Sequence, residues 1–166
     1  MKYFISSLLA MYFLLTCIIP CSFAGPADQV RGVVALPAIL ITNINKLFSD
    51  QPDDVLTEQN KQIIKKNVYQ KYQAEIEIGK PVKAFKVKQN GLIMAYEGKS
   101  RGQDRIIMIA GHMVGNEFQP VSTAAYKYES YQNLVNAEEN VRQYHLQKAF
   151  SDVYGPPDQP PPKSDK

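Results

Sequence analysis

Two tight-turn signals constrain the fold of this chain more than any other feature. Asn90-Gly91 and Gly115-Asn116 each stand between two apolar runs, the pattern typical of a two-residue turn that joins neighbouring antiparallel strands. The stretch 82–121 therefore predicts a short antiparallel sheet. Apolar residues occupy both faces of segment 105–110, which predicts the central, most buried strand.

The first turn also predicts a register. If Asn90-Gly91 form the turn, Phe85 pairs with Tyr96 and Val87 pairs with Met94. Lys86 and Lys88 then lie on the opposite face, so the register alone separates the apolar side chains from the basic ones. The apolar face would carry Phe85, Val87, Leu92, Met94 and Tyr96.

The second turn predicts a register in the same way. Gly115-Asn116 sets Met113 opposite Phe118 and His112 opposite Gln119. Pro120 follows in the same strand, and we expect it near an edge or a strand end because it has no N–H to donate to a ladder.

Helical periodicity surrounds this sheet. Apolar spacing predicts one helix from Pro37 to about residue 48, a second from Asp54 or Thr57 to Tyr72, and a long last helix from Ser122 or Thr123 to Tyr154. Residues 74–78 alternate like a strand that ends at 79–81, and 98–104 predicts an exposed, mobile, basic loop. The fold class is therefore α+β, with a small antiparallel sheet of about four or five strands packed on one side by two N-terminal helices and one long C-terminal helix.

The N-terminal residues predict export. A single lysine, Lys2, precedes an apolar segment at 3–19, and Ser22-Phe23-Ala24 resembles a cleavage site, so we expect a signal peptide over 1–24 that is cleaved after Ala24. A transmembrane anchor would need about 20 apolar residues, and the segment at 3–19 is shorter than that. Lipid attachment at Cys17 or Cys21 remains an alternative.

This interpretation divides the chain into three parts. Residues 1–24 are the signal peptide, 25–154 form a single α+β domain, and 155–166 form a disordered tail that holds five of the eleven prolines. Both cysteines leave with the signal peptide. We therefore expect a periplasmic or secreted protein of the bacterial envelope.

The positive charge is concentrated in the middle of the chain. Residues 80–105 contain seven lysine and arginine side chains against two carboxylates, and such a surface attracts an anionic partner. The candidate binding residues are Lys86, Lys88, Lys99 and Arg101. Alternatively, these cations only solvate one face of a hairpin.

The sequence offers little for catalysis. It has two histidines, His112 and His145, which we expect on different elements, so we predict neither a metal site nor a cofactor. A fold could still bring Ser100 or Ser122 near His112, which would be the minimum for a nucleophile and its base.

The leading hypothesis is a non-enzymatic binding protein or accessory subunit of a multi-protein envelope assembly, such as a secretion apparatus. Its partner would be an envelope protein or an anionic membrane surface, and not a nucleic acid. The alternatives are a small cell-wall or lipid-directed hydrolase that uses His112, and an enzyme inhibitor that acts through the 98–104 loop.

Overall fold

Four long strands form an antiparallel meander in the computed structural model, which describes residues 44–157 and the backbone of residues 32–33 and 39–40. They are β3 (Ile76–Val87), β4 (Gly91–Ser100), β5 (Gln103–Val114) and β6 (Glu117–Tyr126). Two short strands, β1 (Gly32–Val33) and β2 (Ile39–Leu40), both pair with the outer side of β6. The order across the sheet is β1-β6-β5-β4-β3.

Five helices accompany the sheet within the described residues. They are α1 (Ile44–Leu47), α2 (Glu58–Tyr72), α3 (Tyr128–Asn136), α4 (Glu139–Ala149) and α5 (Ser151–Tyr154). The second predicted helix is confirmed as α2, and Thr57 caps it by accepting a hydrogen bond from the Asn60 N–H.

The other two predicted helices are wrong. Ile39–Leu40 is a strand inside the span assigned to the first helix, and the helix within the described residues of that span is Ile44–Leu47. Ser122 and Thr123 lie in β6, and the region predicted as one long helix breaks into three. The break at residues 137–138 is stabilised by Arg142, whose Nη1 donates to the carbonyl oxygens at the end of α3.

Helices cover both faces of the sheet, and not one face as the sequence predicts. On the first face, α2 packs Ile64 and Val68 among Met94 and Ile107. On the other face, α3, α4 and α5 supply the second buried cluster with Tyr131, Leu134, Leu146, Phe150 and Tyr154. Burial on both faces explains why β4 and β5 are apolar at consecutive positions. The central, buried position of residues 106–110 in β5 is confirmed.

The predicted register of the second hairpin is confirmed, and that of the first is wrong. Met113 pairs with Phe118 and His112 with Gln119 across the Gly115-Asn116 turn. Phe85, however, pairs with Ile93 and not with Tyr96, because the turn is made by residues 88–90 and Gly91 belongs to β4. The three-residue shift places Phe85 and Tyr96 on opposite faces.

Two further segments differ from expectation. β3 continues through residues 79–81 with two register shifts, between Ile78 and Pro81 and between Pro81 and Lys83. The predicted 98–104 loop is a pair of strand ends joined by Arg101-Gly102, whose positive φ angles (51° and 73°) make a tight turn. Pro120 lies at a third register shift, opposite Gly111, where its missing N–H disturbs the ladder least.

The predicted signal peptide at 1–24 and residues 158–166 of the predicted tail lie outside the described residues. In the part of the chain that the structure describes, none of the helices has the length and apolar character to cross a membrane.

Candidate functional site

The four candidate basic residues occupy two ends of the sheet. Lys86 and Lys88 lie at the β3–β4 turn, where β4 begins. Lys99 and Arg101 lie at the β4–β5 turn, where β4 ends. Nine residues of strand separate the two ends, which is about 30 Å at roughly 3.3 Å per residue. They therefore form two basic pairs and not one patch.

Lys99, in the pair at the β4–β5 turn, has carboxylates as its register neighbours. Lys99 stands between Glu77 of β3 and Asp104 of β5 in the register. Side chains that face each other across strands lie on the same face of the sheet, so Lys99 has an acidic neighbour on each side. This end presents a weak net charge.

The pair at the β3–β4 turn borders a groove. Lys86 and Lys88 face three residues of α4 across an open space of about 390 Å³. Glu139, Gln143 and Gln147 are spaced four apart, so they follow one face of the helix. The groove is lined by two ammonium groups, two amides and one carboxylate.

Gln143 joins the two walls of this groove. Its Nε2 donates to the carbonyl oxygen of Lys86 at 2.6 Å and to Glu139 Oε1 at 2.7 Å. The hydrogen bond from Gln143, with the hydrogen bond and the charge of Arg142, holds the pKa of Glu139 below its ordinary value although partial burial opposes this. Glu139 is therefore an anion that is already partnered within α4.

The chemistry of the groove suits a polar chain. Amides both donate and accept hydrogen bonds, and the lysine ammonium groups attract carboxylates or phosphates. These lining residues can bind a charged ligand, but they include no nucleophile and base in contact. The chemistry of the groove therefore suits binding of a polar ligand.

A second cluster is buried beneath α2. The Lys61 side chain is 7% exposed, and its Nζ contacts Asp54 Oδ2 at 2.8 Å and Glu58 Oε1 at 2.9 Å. It also donates to the Gly79 carbonyl oxygen, beside the first register shift of β3. Tyr96 donates to the other oxygen of Asp54, Oδ1, at 3.0 Å.

The pKa shifts of Lys61 and Tyr96 in this cluster both favour the protonated side chain. Burial lowers the pKa of Lys61, but the hydrogen bonds and charges of Asp54 and Glu58 outweigh it, so the net shift is upward. Burial and the charge and hydrogen bond of Asp54 raise the pKa of Tyr96 far above its ordinary value. A lysine base needs a lowered pKa, so the cluster fastens α2 to the sheet and does not activate a base.

His112 lies beside a third cluster, at the end of β5. Its ring meets the Tyr154 ring edge to face, with centroids 5.6 Å apart. The Tyr154 hydroxyl accepts from the Gly111 N–H at 3.2 Å and has the carbonyl oxygens of Leu92 and Gly111 at 2.9 and 3.0 Å as acceptors. These contacts pin α5 to the middle of the sheet.

Of the two serines considered as nucleophiles beside His112, Ser122 is hydrogen-bonded to another residue and Ser100 lies elsewhere in the sheet. Ser122 donates directly to Asp152 Oδ2 at 3.0 Å, with no imidazole between the hydroxyl and the carboxylate as a triad requires. Ser100 lies at the opposite end of the sheet, in the pair with Gln103. Within residues 44–157, no three His, Cys, Asp or Glu side chains come together as a metal site.

Two features escaped the sequence analysis. The 139, 143 and 147 spacing is visible in the sequence, but only the fold shows that it faces Lys86 and Lys88. The cluster of Asp54, Lys61 and Tyr96 depends on the contact between Tyr96 and Asp54, which are 42 residues apart, and no local sequence pattern predicts it.

No protein-family model matches the chain, and comparisons with curated proteins and with solved structures also give no match.

Proposed function

We propose that this chain is an exported bacterial envelope protein that binds a partner as a non-enzymatic accessory subunit of a multi-protein assembly, such as a secretion apparatus. The observation that carries the proposal is the groove at the β3–β4 hairpin, where Lys86 and Lys88 face the polar side of α4. The partner is an envelope protein or an anionic membrane surface.

The placement of the charges supports this groove over the other end of the sheet. Lys99 has Glu77 and Asp104 as register neighbours, whereas Lys86 pairs with Leu92, an uncharged residue. A cation without a carboxylate opposite it in the register keeps more of its attraction for an anionic partner, and salt weakens that attraction. Lys86 therefore carries the proposed contact, and Lys88 lines the same groove.

The N-terminal sequence supports the location. A single lysine, an apolar segment at 3–19 and the Ser22-Phe23-Ala24 sequence together are typical of a secretory signal. N-terminal sequencing of the protein from fractionated cells should begin at Gly25, in the periplasm or the medium. An acylated Cys17 or Cys21 would contradict the cleavage and favour a lipoprotein.

The binding proposal is tested by affinity purification from the native envelope. The tagged protein should retain a partner, protein or lipid, that the Lys86→Glu, Lys88→Glu double variant loses. The matched control is Lys99→Glu, Arg101→Glu, which makes the same charge change at the other end of the sheet and should retain the partner. All four side chains are exposed, so both variants should fold.

Two results would contradict the proposal. One is a partner that survives reversal at 86 and 88 but not at 99 and 101. The other is capture that neither double variant reduces and that is insensitive to salt.

A further inference from the structure

β3 is the edge strand of the sheet. It pairs with β4 on one side, and on its other side no strand pairs with it in the part of the chain that the structure describes. An edge strand presents unpaired N–H and C=O groups that can accept another strand. α4 runs beside this edge and closes one side of the groove.

The Gln143 contact shows which backbone groups point outward. The Lys86 carbonyl oxygen accepts from Gln143 Nε2 at 2.6 Å, so it points toward α4 and away from β4. Backbone groups alternate between the two sides of an antiparallel strand. The outward set therefore includes Ala84 and Lys86, while Phe85 and Val87 face β4.

We propose that an extended acidic segment of a partner protein adds to β3 as a further strand, in the groove between β3 and α4. In the free protein the Gln143 amide occupies the Lys86 carbonyl, and in the complex a backbone N–H of the added segment takes its place. This inference rests on the proposed binding function, and it specifies both the partner and the contact.

Charge selects the occupant. β3 carries Lys80, Lys83 and Lys86, and Lys88 follows in the turn. Two copies of this edge would bring like charges together, which disfavours pairing of the chain with itself. An acidic strand meets the opposite charge on Lys83 and Lys86, the two lysines in the regularly paired part of β3.

Pro81 limits the length of the added strand. It offers no N–H, and register shifts flank it on both sides. Regular pairing of β3 extends from Lys83 to Val87, so the added segment pairs along about five residues. Such an interface is short and suits a weak, salt-sensitive contact.

The test uses fluorescent eight-residue peptides in which glutamate alternates with valine or threonine. Each is compared with a version in which glutamate is replaced by lysine. Two backbone-methylated versions carry N-methyl groups on alternate residues, one in each phase. Binding is measured by fluorescence anisotropy, and amide hydrogen exchange of Ala84 and Lys86 is followed with and without peptide.

The expected result has three parts. The acidic peptides bind and slow the exchange of Ala84 and Lys86, and the lysine peptides do not. One phase of N-methylation weakens binding at least tenfold while the other leaves it unchanged, because only one set of N–H groups faces β3. Gln143→Ala binds as well as the native protein or more tightly, since it removes the internal competitor, and Gln132→Ala, which removes an amide of α3 outside the groove lining, serves as its matched control.

Several outcomes would overturn the strand addition. They are the absence of binding by every acidic peptide, equal binding of both methylated phases, and loss of binding in Gln143→Ala with the fold intact. Binding to phosphatidylglycerol vesicles through Lys86 and Lys88, without peptide binding, would assign the groove to a membrane. In that case the proposed function survives and this inference fails, whereas retention of the envelope partner after reversal at 86 and 88 would reject both.

Discussion

Tyr96 donates its hydroxyl hydrogen to Asp54 Oδ1 over 3.0 Å and thereby joins the middle of β4 to the segment before α2. The same carboxylate binds Lys61 through Oδ2 and accepts from the Leu56 N–H. One aspartate therefore links the sheet, the helix and the connection between them.

The two carboxylates beside Lys61 should contribute unequally to stability. The Asp54 side chain is 33% exposed and the Glu58 side chain is 80% exposed, so water can replace Glu58 but not Asp54. Asp54→Ala leaves a buried ammonium poorly compensated and should cost on the order of 3 kcal/mol in the free energy of unfolding. Glu58→Ala should cost less than about 1 kcal/mol. Urea denaturation measures both, and equal costs would contradict this account.

Alkaline pH should destabilise the protein through the same cluster. The pKa of Tyr96 is raised in the folded state, so its contribution is complete below the unfolded pKa of about 10 and is lost as the pH rises above it. Lys61, whose folded pKa is also raised, acts in the same direction. Burial and the charge of Tyr128 raise the pKa of Tyr131 to about 12, which adds to the effect.

The unfolding free energy should therefore fall steeply above about pH 10. Tyr96→Phe should remove the equivalent of one proton from this dependence, which is about 1.4 kcal/mol per pH unit. Denaturation curves between pH 8 and 11 measure the slope. An unchanged slope in Tyr96→Phe would show that the hydroxyl of Tyr96 does not lie in the environment described.

Gly91 should be intolerant of a side chain because of the Val87 backbone and the Tyr154 ring. A Cβ at position 91 would lie 2.2 Å from the Val87 carbonyl oxygen and 2.8 Å from Tyr154 Cε1. Gly91→Ala should therefore shift α5 and destabilise the protein by at least about 1–3 kcal/mol. Gly102→Ala is the control for the added methyl group itself, since open space surrounds that position, although its positive φ adds strain. A smaller cost at Gly91 than at Gly102 would contradict the close packing.

This glycine also explains why one register was predictable and the other was not. Gly115 has a positive φ of 63° and truly belongs to its turn, so the Gly115-Asn116 pattern predicts the correct pairing. In the first hairpin the positive φ of 52° is at Lys88, and Gly91 is required by the close approach of the Val87 carbonyl oxygen and of the Tyr154 ring. A local pattern cannot distinguish these two uses of glycine.

The start of the last helix was predicted wrongly for a related reason. Residues 122–126 are buried on both faces because helices cover both faces of the sheet, and a doubly buried strand has no alternation to separate it from a helix. α2, by contrast, carries its own cap at Thr57 and was predictable. The basic residues of the groove were visible in the sequence, but their polar neighbours belong to α4, and only the tertiary packing of α4 beside β3 brings them together.

His112 should be dispensable for partner binding. It contacts the Tyr154 ring, so His112→Ala should lower stability by about 1 kcal/mol and leave association with the envelope partner unchanged. Affinity purification of the variant, with its fold checked by circular dichroism, measures both properties. A folded His112→Ala protein that has lost its biological effect, beside a charge-reversed protein that retains it, would instead favour the hydrolase.

Site-specific photo-crosslinking in living cells tests whether a partner binds in the groove between β3 and α4. A photoreactive amino acid at Gln147, in the groove, is compared with one at Gln103, an exposed position at the opposite end of the sheet. The account predicts a crosslinked partner from position 147, abolished by Lys86→Glu with Lys88→Glu, and none from position 103. Crosslinks from position 103 alone, or from neither position in cells where the protein co-purifies with its partner, would contradict binding through the groove between β3 and α4.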